Sequence, residues 1–296
     1  EVRVRICFAG INPIDAKTRA GLGWAAAQNK DNLPWTPGYD VSGVVEKVGP
    51  GVTSLAEGDL VCGMVGFPLA AGAYAESVVA REEELVKLDG VSLRQGAALP
   101  LAGLTAWQGL LEHGGLQSGQ RVLILAGAGG VGHLAVQFAA AYGAHVVATA
   151  SGDNHSFLHS LGASRMVDYH QAGWCTEAIT DGPFDLVLDL VGGESGKAAL
   201  ACVKPGGRLV TVPTITAQQI KDAGAELGVE VVGMLVHPDR TQLTQMLTLL
   251  RQGEVKITVS GEYTLAEGAL AHQAIEQGHV RGKLLLRMSA ADGQPG

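Results

Sequence analysis

Two periodicities divide this chain. Over residues 1 to about 90, apolar and polar positions alternate in short runs broken by turn residues, the period-two signature of half-buried strands. Val2–Ile6 opens the chain in this way, and Val41–Val48 and Tyr74–Val79 repeat it, separated by Gly49-Pro-Gly51 and Glu57-Gly-Asp59. From Ser92 the spacing becomes helical, through Ala97–Leu101 and Leu104–Leu111. Beyond that point apolar runs of strand length (122–125, 146–149, 166–167, 186–190, 209–212 and 229–236) alternate with helical stretches near 133–142, 154–161, 195–202 and 216–226. Such alternation predicts a parallel sheet wrapped on both faces. After a helix near 240–251 the tail reads as a strand (255–259), an amphipathic helix (265–277) and a last strand (284–287). The pattern therefore predicts a β-rich domain from 1–92 with 253–296, and an α/β domain over 93–252.

The first strand–helix junction of the α/β region carries Ala126-Gly-Ala-Gly-Gly-Val-Gly132, between Arg121–Leu125 and a helical 134–142. Strand, glycine turn and helix together present backbone N–H groups and a positive helix end to a pyrophosphate. Gly127 is expected to make the tight turn, Gly129 to let the backbone approach the phosphates, and Gly132 to let helix and strand pack closely. A bare G-x-G-x-x-G is weak in a chain with 42 glycines. Its placement between strand and helix makes it a dinucleotide-binding signal.

Composition narrows the class. The 296 residues suffice for two cores, and 47% hydrophobic with 17% charged residues suits a compact α/β protein. A formal net charge of −8 with no basic run argues against a nucleic-acid partner. No apolar stretch reaches the roughly 18 residues of a membrane span. Cys7, Cys62, Cys175 and Cys202 are scattered without a C-x-x-C pair, which predicts packed, reduced thiols and a cytoplasmic protein. The chain opens inside a strand without Met, so it is expected to be truncated.

Four further segments accompany the glycine turn: Gly10-Ile-Asn-Pro-Ile-Asp15, Pro37-Gly-Tyr-Asp-Val-Ser-Gly-Val-Val45, Leu99-Pro-Leu-Ala-Gly-Leu-Thr-Ala-Trp107 and Gly278-His-Val-Arg-Gly-Lys283. With these, the whole chain resembles the zinc-independent branch of the medium-chain dehydrogenase/reductase superfamily, the quinone oxidoreductase and ζ-crystallin group. The resemblance implies an α/β fold: a Rossmann doubly wound parallel sheet plus a GroES-like β-barrel catalytic domain, here lacking two amino-terminal strands. It implies a homodimer, with Val229–Val236 as a plausible pairing edge. Zinc-dependent relatives carry Cys where this chain has Asn12, His where it has Tyr39, and a third ligand near Leu101. Those substitutions predict no catalytic zinc.

For the cofactor, the position that carries an acid in NAD-preferring folds is Ser151, nineteen residues past Gly132. A hydroxyl can donate to a 2′-phosphate, so NADP (NADPH) is expected over NAD, although Asp153 lies close by. By similarity, Gly129, Gly130 and Val131 would face the pyrophosphate, Ser151 and Asn154 the adenosine 2′ position, and Tyr169 the adenosine. Thr105, Val191 and Thr214 would flank the nicotinamide half, and Lys283 would reach back to the cofactor. The amide of Asn12 and the phenol of Tyr39 are the candidate catalytic donors to developing negative charge on the acceptor oxygen. The expected reaction is hydride transfer to a quinone or related activated carbonyl. The alternatives are an enone or 2-enoyl reductase and a nucleotide-binding protein with little turnover.

Overall fold

The computed structural model describes residues 1–288, so the last eight positions of the expected 253–296 segment lie outside the described residues. In chain order the elements begin with β1 (Val2–Ile11), α1 (Pro13–Arg19), α2 (Gly23–Asn29), β2 (Asp40–Val48), β3 (Leu60–Met64), β4 (Ser77–Ala80), β5 (Leu85–Lys87), α3 (Leu93–Ala98) and α4 (Pro100–Trp107). They continue with β6 (Arg121–Ile124), α5 (Gly132–Ala141), β7 (His145–Ala150), α6 (His155–Ser160), β8 (Arg165–Asp168), α7 (Trp174–Ala178), β9 (Phe184–Asp189) and α8 (Gly193–Ala199). Last come β10 (Val203–Thr211), α9 (Ala217–Leu227), β11 (Glu230–Gly233), α10 (Arg240–Gln252), β12 (Val259–Thr264), α11 (Gly268–Glu276) and β13 (Lys283–Arg287).

These elements form two compact units, Glu1–Leu104 with the chain from His237 onward, and Thr105–Val236. The division falls at 105 and 236 instead of the 93 and 252 read from the pattern. Packing explains the shift. α3 packs on β1, β2, β3 and β13, and α10 packs on β5, so both helices belong to the first unit. α10 buries Leu243, Met246, Leu247 and Leu250, one stripe at helical spacing. Its ends are set by Asp239, which accepts from the Gln242 N–H at 2.8 Å, and by Gly253 at φ +75.

The first unit is built on a seven-stranded sheet ordered β12-β13-β1-β2-β3-β5, with β4 also paired to β1. Both ends of the chain meet in it: β1 runs antiparallel to β13, with Ile11 opposite Leu284. Val4, Ile6, Ala9, Val41, Val61, Leu85 and Leu286 are among its buried core residues. The tail strand begins later than the pattern suggested. Val255 is a buried core residue, and β12 starts only at Val259, where a half-buried, half-exposed alternation begins.

The second unit is a six-stranded parallel sheet ordered β11-β10-β9-β6-β7-β8. Counted from β6 this is 6-5-4-1-2-3, the doubly wound order, with its reversal between β6 and β9. Leu123, Val147, Val187 and Leu209 fill its interior, the near-continuous apolar strands that a sheet buried on both faces requires. The expected helix over 104–111 runs as α4 and then widens into a looser turn, closed by the His113 N–H on the Gln108 carbonyl at 2.8 Å.

Candidate cofactor and redox sites

Because the strands of the second unit run parallel, their carboxyl ends share one edge. Tyr169 follows β8, Ser151 follows β7, the glycine turn follows β6, Val191 follows β9 and Thr214 follows β10. Five segments far apart in sequence thus line up in strand order along that edge. The crevice at a strand-order reversal is where open α/β sheets take ligands.

The glycine turn sits at the reversal, and its glycines are required for reasons that differ in part from those expected. The left-handed residue of the tight turn is Ala126, at φ +53, not Gly127. Gly127 is needed because a Cβ there would approach Ala148 Cβ at 2.8 Å. At Gly132 a Cβ would lie 2.2 Å from the Ala126 carbonyl oxygen and 2.7 Å from Gly127 Cα, so the start of α5 packs directly on the turn. Beside Gly129 a Cβ would meet only the Ala126 carbonyl oxygen, at 3.4 Å, leaving open approach.

The amides of the turn divide accordingly. The Gly129 N–H closes the turn on the Ala126 carbonyl at 3.1 Å, so Gly129 does not supply an open donor as expected. Gly130 and Val131 are half-buried, and their N–H groups meet no protein acceptor among the described residues. Open amides just ahead of a helix N-terminus can donate to an anion. His133 holds the neighbouring Gly129 carbonyl and was not foreseen. It is fully buried, and its Nδ1 lies 3.0 Å from the Gly129 carbonyl; a carbonyl only accepts, so Nδ1 carries the proton.

Flanking positions follow the same edge. The Ser151 hydroxyl accepts from Asn154 Nδ2 at 2.9 Å, which leaves the hydroxyl's own proton to donate elsewhere. Tyr169 is exposed, its ring 4.1 Å from that of His170, and His170 in turn contacts Asp168. Val191 is exposed, and its turn is pinned by buried Asp189, which accepts from the Val191 and Gly192 N–H groups at 3.0 and 2.8 Å and from the Thr211 hydroxyl at 2.8 Å. Asp189 is a second residue the sequence reading missed, because it ties its own turn to Thr211 on the neighbouring strand, 22 positions away. Thr214 is exposed. Thr105 is buried on α4.

In the first unit Asn12 enters a buried charged cluster. Asn12 precedes Pro13 at the start of α1, and its backbone N–H donates to Asp15 Oδ2 at 2.8 Å. Its side-chain Nδ2 donates to Asp40 Oδ2 at 2.9 Å, while its Oδ1 accepts from Lys283 Nζ. Lys283 also donates to the Ile11 carbonyl at 3.0 Å and lies 3.5 Å from Asp40 Oδ2. Asp40 Oδ1 accepts the Leu101 N–H at 2.7 Å, and Tyr74 donates to Asp15 Oδ2 at 3.1 Å. Gly10 makes room: a Cβ there would lie 2.7 Å from Asp40 Oδ2.

Both expected catalytic donors are already engaged. The Asn12 amide is 2% exposed and bonded at both ends, and the Tyr39 phenol donates to the Pro68 carbonyl at 3.0 Å beneath a fully buried ring. Lys283, expected to reach a cofactor, has its ammonium spent inside the unit at 2% exposure. Burial pushes Asp40 up and Lys283 down, each opposed by the other's charge. Burial likewise pushes Asp15 up to about 7, with one carboxyl oxygen left without a partner. Tyr39 is also raised by burial.

A tetrahedral zinc does not fit this donor set. It needs thiolate, imidazole or carboxylate ligands converging, and no group of three such side chains does so among the described residues. At the first two relevant positions stand a saturated amide and a phenol held by a carbonyl.

A doubly wound sheet with open amides at its reversal defines a dinucleotide-dependent oxidoreductase class when a GroES-like unit accompanies it. The alcohol dehydrogenase GroES-like domain family matches residues 1–90, and the zinc-binding dehydrogenase family matches 161–286. The chain is 34% identical to the mitochondrial NAD(P)H oxidoreductase RTN4IP1 of Danio rerio, over 97% of this chain and 83% of that protein. It is 37% identical to the 2-methylene-furan-3-one reductase of Solanum lycopersicum, over 97% and 71%. The structure of the quinone oxidoreductase from Coxiella burnetii superimposes with a TM-score of 0.93 at 40% identity, covering 97% of this chain and 90% of that one. The chain belongs to the quinone oxidoreductase-like group of the medium-chain dehydrogenase/reductase superfamily. The expectation of a cytoplasmic protein does not stand, since relatives of this similarity include mitochondrial oxidoreductases. No helix among the described residues is long and apolar enough to cross a membrane.

Proposed function

We propose that this chain is a zinc-independent, NADPH-dependent oxidoreductase that reduces a quinone or a related activated carbonyl. The observation that carries the reading is the pair of open amides at Gly130 and Val131, at the strand-order reversal. In this reading they hold the pyrophosphate, with Ser151, Asn154 and Tyr169 on the adenosine side and Val191 and Thr214 on the nicotinamide side. The bound reduced nicotinamide supplies the hydride, while the protein supplies orientation and electrostatics. The free proton of Ser151 suits a 2′-phosphate. Asn12 and Tyr39 act as positioning residues: Asn12 joins the start of α1 to Asp40 and Lys283, and Tyr39 ties β2 to Pro68. Quinones and enones accept hydride readily, so a saturated donor set does not preclude the reaction.

The test is oxidation of NADPH against NADH over a panel of quinones and enals, with and without a chelator. The reading requires NADPH-dependent quinone reduction that survives chelation. Tight NADPH binding with no turnover would replace it with a binding protein. A second reading, an enone reductase, is favoured by the likeness to the furanone reductase, and faster turnover of enals than of quinones would select it. We also read the outer strand β11 as the pairing edge of a homodimer. Sedimentation equilibrium should then give twice the 30.5 kDa chain mass, and a monomer at micromolar concentration removes that element.

A further inference from the structure

In sequence the four cysteines look isolated, but folding brings two of them together. Cys175 lies on α7, and Cys202 lies in the short turn that leads from α8 into β10, 27 residues further on. The Cys202 thiol reaches the Cys175 carbonyl at 3.8 Å, and the Cys175 thiol reaches the Ala198 carbonyl at 3.3 Å. Both side chains belong to one packed cluster with Ala178, Phe184 and Leu200. Their accessibility differs: Cys202 is fully buried, whereas Cys175 is half-buried at the edge of that cluster. The nearness of the two thiols pulls Cys175 below the ordinary thiol range and, together with burial, pushes Cys202 above it. One sulfur is therefore reachable and biased toward thiolate, and the other is protonated behind it.

We propose that Cys175 and Cys202 form a peroxide-oxidisable dithiol, with Cys175 the attacking sulfur and Cys202 the resolving one. In the first step the Cys175 thiolate attacks the O–O bond of a hydroperoxide. An S–O bond forms, the O–O bond breaks, and the departing alkoxide or hydroxide takes a proton from water. In the second step Cys202 sulfur attacks the Cys175 sulfenic acid. The S–S bond forms, the S–O bond breaks, and the thiol proton of Cys202 leaves with the hydroxyl as water. The sulfur pair loses two electrons and the hydroperoxide gains them. α7 packs on the turn that carries Cys202, which keeps the two residues in neighbouring elements.

The experiment treats the full chain with hydrogen peroxide, blocks the remaining thiols with an alkylating reagent, and digests it without reduction. Trypsin cuts after Lys197, which separates the two cysteines, so a disulfide appears as a joined pair of peptides lacking two hydrogens. The expected result is that pair, a fall from four titratable thiols to two after denaturation, and restoration of four by dithiothreitol. Cys202→Ser should instead drive Cys175 on to sulfinic acid, while Cys175→Ser should leave Cys202 reduced. Four thiols surviving peroxide, or sulfinic acid at Cys175 of the unsubstituted chain with Cys202 still alkylatable, would overturn the proposal. The unsubstituted chain decides it even if a variant fails to fold.

Discussion

The two units place polar groups at strand ends in opposite ways. In the first, Asn12, Asp15, Asp40, Tyr74 and Lys283 are nearly all spent on one another inside one cluster. In the second, the carboxyl edge leaves the Gly130 and Val131 amides and the Ser151 proton uncommitted. Buried polar atoms that satisfy each other hold a fold, whereas half-exposed ones without partners await a ligand. In the proposed reading, the engaged groups of the first unit serve as scaffold and the open groups of the second take the nucleotide.

The sharpest break of that contrast is Lys283→Met. It strands the Asp40 carboxylate without its cation in a fully buried site, and removing one partner of such a pair costs about 3–5 kcal/mol. Lys197→Met removes an exposed ion pair with Glu194 and should cost under about 1 kcal/mol. Urea unfolding of both variants is the measurement. Equal small losses would mean the cluster is not a scaffold.

Asp15 sharpens the same point through pH. Its folded-state value near 7, set by burial, lies above the ordinary 3.8, so the folded chain binds the extra proton between those values. This group's contribution is therefore most favourable below pH 4 and is lost as pH rises to 7, by about 4 kcal/mol at 1.36 kcal/mol per unit. Asp15→Asn removes the titration. Its stability relative to the unsubstituted chain should climb by that order between pH 4 and 8, and a flat difference would place Asp15 outside the cluster's electrostatics.

How much of this was legible in the chain depends on range. The glycine turn and the alternating strands were readable because their causes lie within a few residues, whereas the doubly wound sheet was expected only from the family resemblance. The charged cluster was not readable. Asn12 meets Asp40 across 28 positions and Lys283 across 271, and no local pattern encodes such meetings. Asn12 and Tyr39 were read as catalytic donors, and their engagement was invisible without the partners. α10 looked like part of the α/β run, and only its packing on β5 assigns it to the first unit. The five-residue α7 was too short to show a period, so the approach of Cys175 to Cys202 stayed hidden with it.

At the open edge, the largest expected effect is Gly132→Ala. The added Cβ would sit 2.2 Å from the Ala126 carbonyl oxygen, against backbone that cannot swing aside. Overpacking of this kind costs about 1–3 kcal/mol, and here the displaced turn also carries the open amides. NADPH affinity measured by fluorescence titration should fall by at least tenfold. Gly129→Ala, with only a 3.4 Å contact, should keep its stability while still obstructing the cofactor, which separates fold from recognition.

A smaller and more selective change is Ser151→Asp. The hydroxyl that accepts from Asn154 is replaced by a carboxylate, which can still accept that bond and so preserves the turn. What changes is the field: a 2′-phosphate now meets a negative charge, whereas a ribose 2′-hydroxyl gains an acceptor. NADPH kcat/KM should drop by about tenfold or more, roughly 1.4 kcal/mol of transition-state stabilisation, while NADH use holds or improves. An equal fall with both cofactors would mean that the substitution damages the β7 end generally. No change with either would remove Ser151 from the adenosine site, and the nucleotide preference would then have to be set by Tyr169, His170 or Asp168 at the end of β8.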